Sequence, residues 1–218
     1  MKKLSLFLIA LAMLLVSCKP EIETSPIEGT ANGHSWVDLG LPSGLKWATC
    51  NVGANYPEEY GQYFACGETS PKTEYTEDNC PTYGLSISEL QSQGYIDSEG
   101  NFMPQYDAVT ANWGRDWRMP TYYELDELST NCTWTWSTQN SVNGYKVTGP
   151  SGASIFLPAE GFFNGSSLYY AGNNGNYWSS TPYENGSYYT FGLSFDSSNQ
   201  AVDFKRRNIG RGVRPVIE

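Results

Sequence analysis

The sequence predicts an α+β domain, short helices first and an antiparallel sheet afterwards. Two observations carry that reading. Helix start and stop signals cluster between residues 86 and 130, whereas from Asn143 onward the chain becomes short strands separated by Asn, Gly and Ser clusters. Within the later half, Phe191, Leu193 and Phe195 alternate with Thr190, Gly192 and Ser194, so one face of that strand is expected to be buried.

In chain order, Trp36 to Leu39 and Leu45 to Asn51 read as strands joined by the turn formers Pro42, Ser43 and Gly44. Residues 67 to 84 read as a long surface loop. Ser86 to Gln93 offers a short helix, because Ser86 and Glu89 have capping-box spacing and Gly94 is a stop signal. Gly100-Asn101 marks a turn. Asp107 to Trp113 is a second helix ended by Gly114, and Thr121 to Thr130 a third, with Pro120 ahead of a Thr121 to Glu124 capping box. Leu125 and Leu128 of the third helix would face the core. The strands expected afterwards are 145–148, 154–157, 177–180, 188–195, 201–206 and 212–217.

The N-terminus has the order of an export signal: Lys2 and Lys3, an apolar run from Leu4 to Val16, then Ser17 and Cys18. The run is too short to span a bilayer. Leu15, Val16, Ser17 and Cys18 resemble the lipobox of bacterial lipoproteins, which implies cleavage after residue 17 and acyl chains on Cys18, enough for stable anchoring. Lys19 to Gly33 is polar, contains Pro20, Pro26, Gly29 and Gly33, and reads as a flexible stalk. The expected organisation is therefore a signal peptide at 1–17, a lipidated cysteine and stalk at 18–33, and one folded, lipid-anchored domain at 34–218.

Composition narrows the function. There are 13 Lys and Arg against 23 Asp and Glu, a formal net charge of −10 that falls to −12 when Lys2 and Lys3 leave with the signal. Such a surface repels nucleic acid. Sixteen Tyr, 7 Trp and 22 Gly suit short strands, tight turns and flat recognition surfaces. Beyond Cys18, four thiols in an exported protein leave three full pairings open. Cys66 and Cys80 flank a loop that a disulfide would close, while Cys50 and Cys132 sit beside tryptophans and suit buried free thiols. The spacings match no zinc ribbon.

The runs WVDLGLPSGLKWATCNVGA (36–54), YGQYFACGET (60–69), YDAVTANWGRDWRMPT (106–121), SIFLPAEG (154–161), YWSST (177–181) and GVRPV (212–216) resemble the Fibrobacter succinogenes major paralogous domain, common in Bacteroidetes surface lipoproteins. The resemblance implies an outward-facing position in the outer membrane and a C-type-lectin-like fold, two or three short helices packed on a small twisted antiparallel sheet with long loops, with paired terminal strands and a variable loop region for ligands. It also implies a scaffold of Trp178, Ser179, Ser180, Gly192, Leu193, Phe195 and Gly212 to Pro215 between surface positions. Family members often carry Trp where this chain has Cys66, a departure that favours a bond to Cys80.

Catalysis is not expected. His34, the single histidine, lies where the stalk meets the first strand, far from where a histidine base would work. The formylglycine-generating enzymes share the implied fold, and RRNIGRGVRP (206–215) is similar to their last strand. Their chemistry needs two cysteines near the C-terminus, and none follows Cys132 here. Among Glu124, Glu127, Glu160, Asp196 and Asp203 nothing singles out a glycosidase pair. Glu124 suits a helix cap, Glu127 a solvated helix face and Asp196 a strand-end turn. The Glu-Pro-Asn, Gln-Pro-Asp and Trp-Asn-Asp triplets of calcium-dependent lectins do not occur, and Asp78-Asn79 and Asp196 are better explained by turns than by an ion. No metal or other cofactor is expected.

What remains is a set of surface loops. Tyr169, Tyr170, Asn173, Asn174, Asn176, Tyr183, Glu184, Asn185 and Tyr189 supply rigid contact area and adaptable hydrogen bonds, whereas Tyr177 and Tyr188 read as core or turn residues. Arg206, Arg207 and Asn208 form a basic lip able to grip an anion or pair with nearby carboxylates. The expected function is a surface-displayed binding module for an extracellular glycan or protein. The alternative is a structural or adhesive cap or tip subunit of a surface assembly, and a glycan-acting enzyme ranks below both.

Overall fold

The computed structural model describes residues 28–218. The signal, Cys18 and most of the stalk lie outside the described residues. The architecture is α+β and sheet-rich, with three short helices among small antiparallel sheets.

Strands β1 (Glu28–Ala31) and β2 (His34–Asp38) form a hairpin about Asn32 and Gly33, whose φ angles of 49° and 81° are those of a two-residue turn matched to strand twist. The first strand thus starts inside the stretch read as stalk. EGTA has little apolar content, and its pairing comes from β2, with Glu28 opposite Val37 and Ala31 opposite His34. Next, β3 (Lys46–Ala48) pairs with β2. The C-terminal strand, Val216–Ile217, closes this sheet by placing Val216 opposite the fully buried Trp47.

Helices α1 (Ile87–Ser92), α2 (Ala108–Trp113) and α3 (Tyr122–Asn131) form where their caps predict. Ser86 and Glu89 make a complete capping box, as do Thr121 and Glu124. One carboxylate oxygen of Asp107 accepts from the Val109 and Thr110 N–H groups at 2.8 and 2.9 Å, and the other from Met119 N–H at 2.9 Å. That side chain therefore caps α2 and ties it to the approach to α3. Leu125 and Leu128 are buried.

A second sheet contains β4 (Thr133–Gln139), β5 (Val142–Thr148) and β6 (Ser154–Pro158). After the small hairpin of β7 (Phe162–Asn164) and β8 (Ser167–Tyr169), the last third builds a third sheet. It contains β9 (Gly175–Pro182), β10 (Tyr189–Phe195) and β11 (Gln200–Arg206), with β10 in the middle and β11 at one edge. β12 is the terminal Val216–Ile217 strand described above. Gly212 to Pro215, expected as part of that strand, instead runs between sheets, its carbonyls accepting from Trp178, Val52 and Ala48 N–H groups.

The main core gathers Leu39, Trp47, Leu125, Leu128, Tyr145, Tyr177, Leu193 and Phe195. A second core holds Phe64, Leu90, Val109, Trp117 and Trp178. The 67–84 loop has no regular structure, yet Tyr75 and Cys80 anchor it in a third cluster with Tyr63 and Ala65. Among the described residues no helix is long and apolar enough to cross a membrane.

A buried polar network locks the C-terminal segment. The carboxylate of Glu160, fully buried, accepts from Gly212 N–H at 2.9 Å and from the Asn51 amide at 2.7 Å. Asn51 Oδ1 in turn accepts from Arg214 Nε at 2.8 Å, and the Arg214 guanidinium also donates to the carbonyls of Ala48, Thr49 and Phe156. Burial pushes the Glu160 pKa well up, opposed by the Gly212 N–H and the nearby Arg214 and Arg211. Both of its oxygens receive N–H donors, an arrangement that favours the ionised carboxylate. Gly212 is required here, since a side chain would collide with that carboxylate.

Candidate functional site

Helix α3 covers only part of the β9–β10–β11 sheet. In the β10–β11 register Leu193 lies opposite Val202 and Phe191 opposite Phe204. Leu193 is core and Val202 packs against it. One pair further along, Phe191 is half-buried and Phe204 is 45% exposed. The alternation that predicts a buried face therefore holds for Leu193 and Phe195 and stops at Phe191, where the helix begins.

The uncovered end carries six neighbouring rings. Tyr122, at the start of α3, packs on Phe191 with centroids 4.3 Å apart, and Tyr123 lies edge-on to Tyr122 at 5.1 Å. Tyr183, between β9 and β10, stacks on Phe204 at 4.9 Å and 19° and meets Phe191 edge-on at 5.3 Å. Tyr189 completes the group, edge-on to Phe204 at 5.4 Å. Tyr123 is 77% exposed. Beside these rings lies a cleft of about 480 Å³ lined by Gln91, Glu99, Tyr122, Tyr123, Glu184 and Phe191, among others.

The frame around the cleft is well tied. Arg118 makes a two-pronged bond to the Glu124 carboxylate, each contact 2.7 Å, below the α3 cap. Burial raises the Glu124 pKa, but the Arg118 hydrogen bond and charge outweigh it and hold the group below its ordinary value. The Thr181 hydroxyl accepts from Tyr122 N–H at 3.1 Å and donates to Asn101 at 2.9 Å, linking α3, β9 and the 97–101 turn. Asp97 fixes that turn by accepting from the Glu99 and Asn101 N–H groups.

The expected ligand residues divide into separate groups. Tyr183, Glu184 and Tyr189 join the aromatic face or its cleft, with Asn185 exposed next to them. Tyr169 and Tyr170 belong to a different cluster, around Phe162 on the β7–β8 hairpin, at 5.9 and 5.8 Å from its ring. Tyr170 is 61% exposed and adopts φ 57°. Asn173 is exposed beside it, while Asn174 is half-buried and its carbonyl accepts from Gly161 N–H.

Several expectations are overturned. Asn176, Arg207 and Asn208 are buried and cannot meet a ligand from outside. Asn176 accepts from Arg211 at 2.7 Å, and Arg207 donates to the carbonyls of Thr82, Leu85 and Tyr189. Those carbonyls come from segments distant in sequence, which is why the arginine looked like surface. Of the basic lip only Arg206 is exposed, and Glu77 pairs with it at 2.7 Å. Tyr188, read as a core or turn residue, stands in the turn before β10, 49% exposed and lying against Tyr83. Glu127 is more than a solvated face residue, since its carboxylate accepts from both the backbone and the hydroxyl of Ser43.

The four described cysteines are free thiols. Cys66 and Cys80 are buried around one carbonyl, that of Arg207, which accepts from Cys66 N–H at 2.9 Å and from Cys80 Sγ at 3.5 Å. Burial pushes the Cys66 thiol up to about 12, against the pull of Arg207. Cys50 and Cys132 are half-buried rather than buried.

Asn79 and Asp196 are engaged in turns, Asn79 accepting from Thr76 N–H and Lys72, and Asp196 from the Ser198 and Asn199 N–H groups. Among the described residues no group of three or more His, Cys, Asp or Glu is placed to hold a metal ion. His34 stacks flat on Trp113 at 3.6 Å, and burial lowers its pKa.

Sequence reasoning missed Tyr122, Tyr123, Phe191 and Phe204 as site residues. Phe204 did carry a signal, standing between Asp203 and Lys205 in a strand whose apolar alternation is weak.

A family described as a domain of unknown function (DUF8237) matches residues 119–216. That stretch runs from just before α3 into β12 and contains both aromatic clusters, whereas Ile87, Gln91, Ser98, Glu99 and Gly100 of the cleft wall lie outside it. No curated protein and no solved structure matches the chain.

Proposed function

We propose that this protein is a binding module displayed on the outer membrane by a lipid on Cys18, and that it recognises an extracellular glycan or protein. The observation that carries the reading is the ring cluster of Tyr122, Tyr123, Tyr183, Tyr189, Phe191 and Phe204 beside a tied cleft. Solvent-exposed aromatics held rigid by caps and cross-links lose little entropy on binding. Tyr169 and Tyr170 offer a second contact surface.

The fold proposed for it is C-type-lectin-like, as the resemblance to the Fibrobacter succinogenes major paralogous domain implies. The pairing of β12 with β3, the short helices and the long anchored loops are consistent with that plan. The Leu15 to Cys18 run supports the anchor.

A second reading, a cap or tip subunit of a surface assembly, draws on β11 as an open sheet edge. Asp203, Lys205 and Arg206 lie on that strand, and charges of this kind discourage strand addition, so the binding-module reading is preferred. Glycan arrays and pull-downs from extracellular material with the full chain test it. Ligand capture without turnover supports the module, whereas turnover of a substrate with no retained ligand overturns it.

A further inference from the structure

We infer that the cleft beside the aromatic face takes a neutral, extended oligosaccharide whose sugar rings lie across Tyr123, Phe191 and the Tyr183–Phe204 stack. The inference rests on the binding-module reading and names its ligand class.

Four observations point the same way. First, the surface offers exposed rings rather than a greasy hollow: Tyr123 is 77% and Phe204 45% exposed, and neighbouring rings hold them at centroid separations of 4.9 to 5.4 Å. A pyranose presents an apolar C–H face that such rings can cover. Second, the polar groups around the cleft are suited to hydroxyls, with Gln91, Ser98, Thr181, Glu99 and Glu184 all lining it. These are hydrogen-bonding groups of the kind that orient a ligand within a largely apolar site.

Third, among the described residues the only charged side chains lining the cleft are the carboxylates Glu99 and Glu184. An anionic sugar would meet two like charges on a protein already strongly acidic. Fourth, a cleft of about 480 Å³ is of small-ligand size, whereas a stable protein partner covers about 800 Å² on each side. The frame is also ready-made: Thr181 joins Tyr122 to Asn101, and Asp97 stiffens the turn that carries Glu99.

The test is calorimetric titration of the full chain in mild detergent with cellohexaose, xylohexaose, mannohexaose and, as the anionic comparator, hexagalacturonate. At least one neutral hexasaccharide is expected to bind. Tyr123→Ala and Phe204→Ala should each weaken it about tenfold or more, the scale of an anchoring aromatic, with unchanged melting temperatures. Tyr56→Ala, at an exposed tyrosine outside both aromatic clusters, should leave it unaltered.

The inference is overturned if hexagalacturonate binds as well as the neutral chains, if no neutral chain binds at millimolar concentration, or if neither substitution weakens binding. A parallel pull-down of extracellular proteins separates the two levels. A protein captured by the wild type and lost with Phe204→Ala defeats the sugar class and keeps the module. Absence of any sugar or protein ligand defeats both.

Discussion

Replacing Glu160 by Gln changes neither the size nor the shape of the side chain, yet it should be among the most costly single changes in the domain. The carboxylate receives two N–H donors, from Gly212 on one oxygen and Asn51 on the other. A glutamine has one oxygen, so its NH₂ must face one of those donors, leaving a buried donor unpaired at a cost of about 1–3 kcal/mol. The remaining bond loses its charge assistance, worth roughly 1 kcal/mol. Arg214 and Arg211 also lose their nearest buried counter-charge. Breaking a buried ionic network of this kind costs about 3–5 kcal/mol in all, a large share of the roughly 5–15 kcal/mol typical of a folded domain. Urea unfolding followed by tryptophan fluorescence reads the loss, since Trp117 and Trp178 are buried, and the melting temperature should fall by roughly 6–20 °C. A loss below about 1 kcal/mol would mean that the carboxyl is protonated in the folded state and that the network does not work as an ionic lock.

The Arg118–Glu124 pair makes stability sensitive to acid. Its folded-state pKa is depressed, so the pair's contribution is fully present above the ordinary glutamate value of about 4.3 and is lost as pH falls through the lower folded value. Glu124→Gln should reduce stability at neutral pH and flatten the fall below about pH 4.3, read by melting curves across pH. With Cys66 and Cys80 free and buried, a thiol reagent at pH 8 should find them unreactive in the native protein, and four described thiols should titrate in denaturant without reductant. Two missing thiols would reveal a Cys66–Cys80 bond. Cys18→Ser should move the protein from the membrane fraction to the soluble fraction, checked by fractionation of expressing cells.

The helices were legible because their signals are local. Ser86 with Glu89, Asp107, and Thr121 with Glu124 each act within a few residues, and each side chain caps the helix it predicts. Strand β4 was overlooked because Thr133 to Gln139 follows α3 without a Gly or Pro break. Its Trp134 and Trp136 alternate with Thr as a half-buried strand should. The β7–β8 hairpin read as loop, since each strand is only three residues long. Strand β1 borrowed its stability from β2 and showed no apolar pattern of its own.

The site was less legible than the fold, for reasons of tertiary reach. Arg207 is interior only because Thr82 and Leu85 bring carbonyls to it from more than a hundred residues away. Phe191 is only half-buried and Phe204 exposed because α3 begins at their end of the sheet and does not cover it, and no local pattern records where a helix will lie across a sheet. Tyrosine enrichment did point to the last third as the proposed recognition surface, and Tyr183, Glu184 and Tyr189 fall on the face or its cleft. It could not tell that Tyr169 and Tyr170 stand on a separate hairpin.

The central claim is that the uncovered aromatic face binds something outside the cell and does no chemistry on it. An array of glycans and extracellular proteins probed with the full chain, and in parallel with a Tyr123→Ala, Phe204→Ala double variant, measures this directly. Saturable binding by the wild type, abolished in the double variant, with the bound ligand recovered unchanged, is the result the account predicts. Equal binding by both proteins, or recovery of a chemically altered ligand, would contradict it.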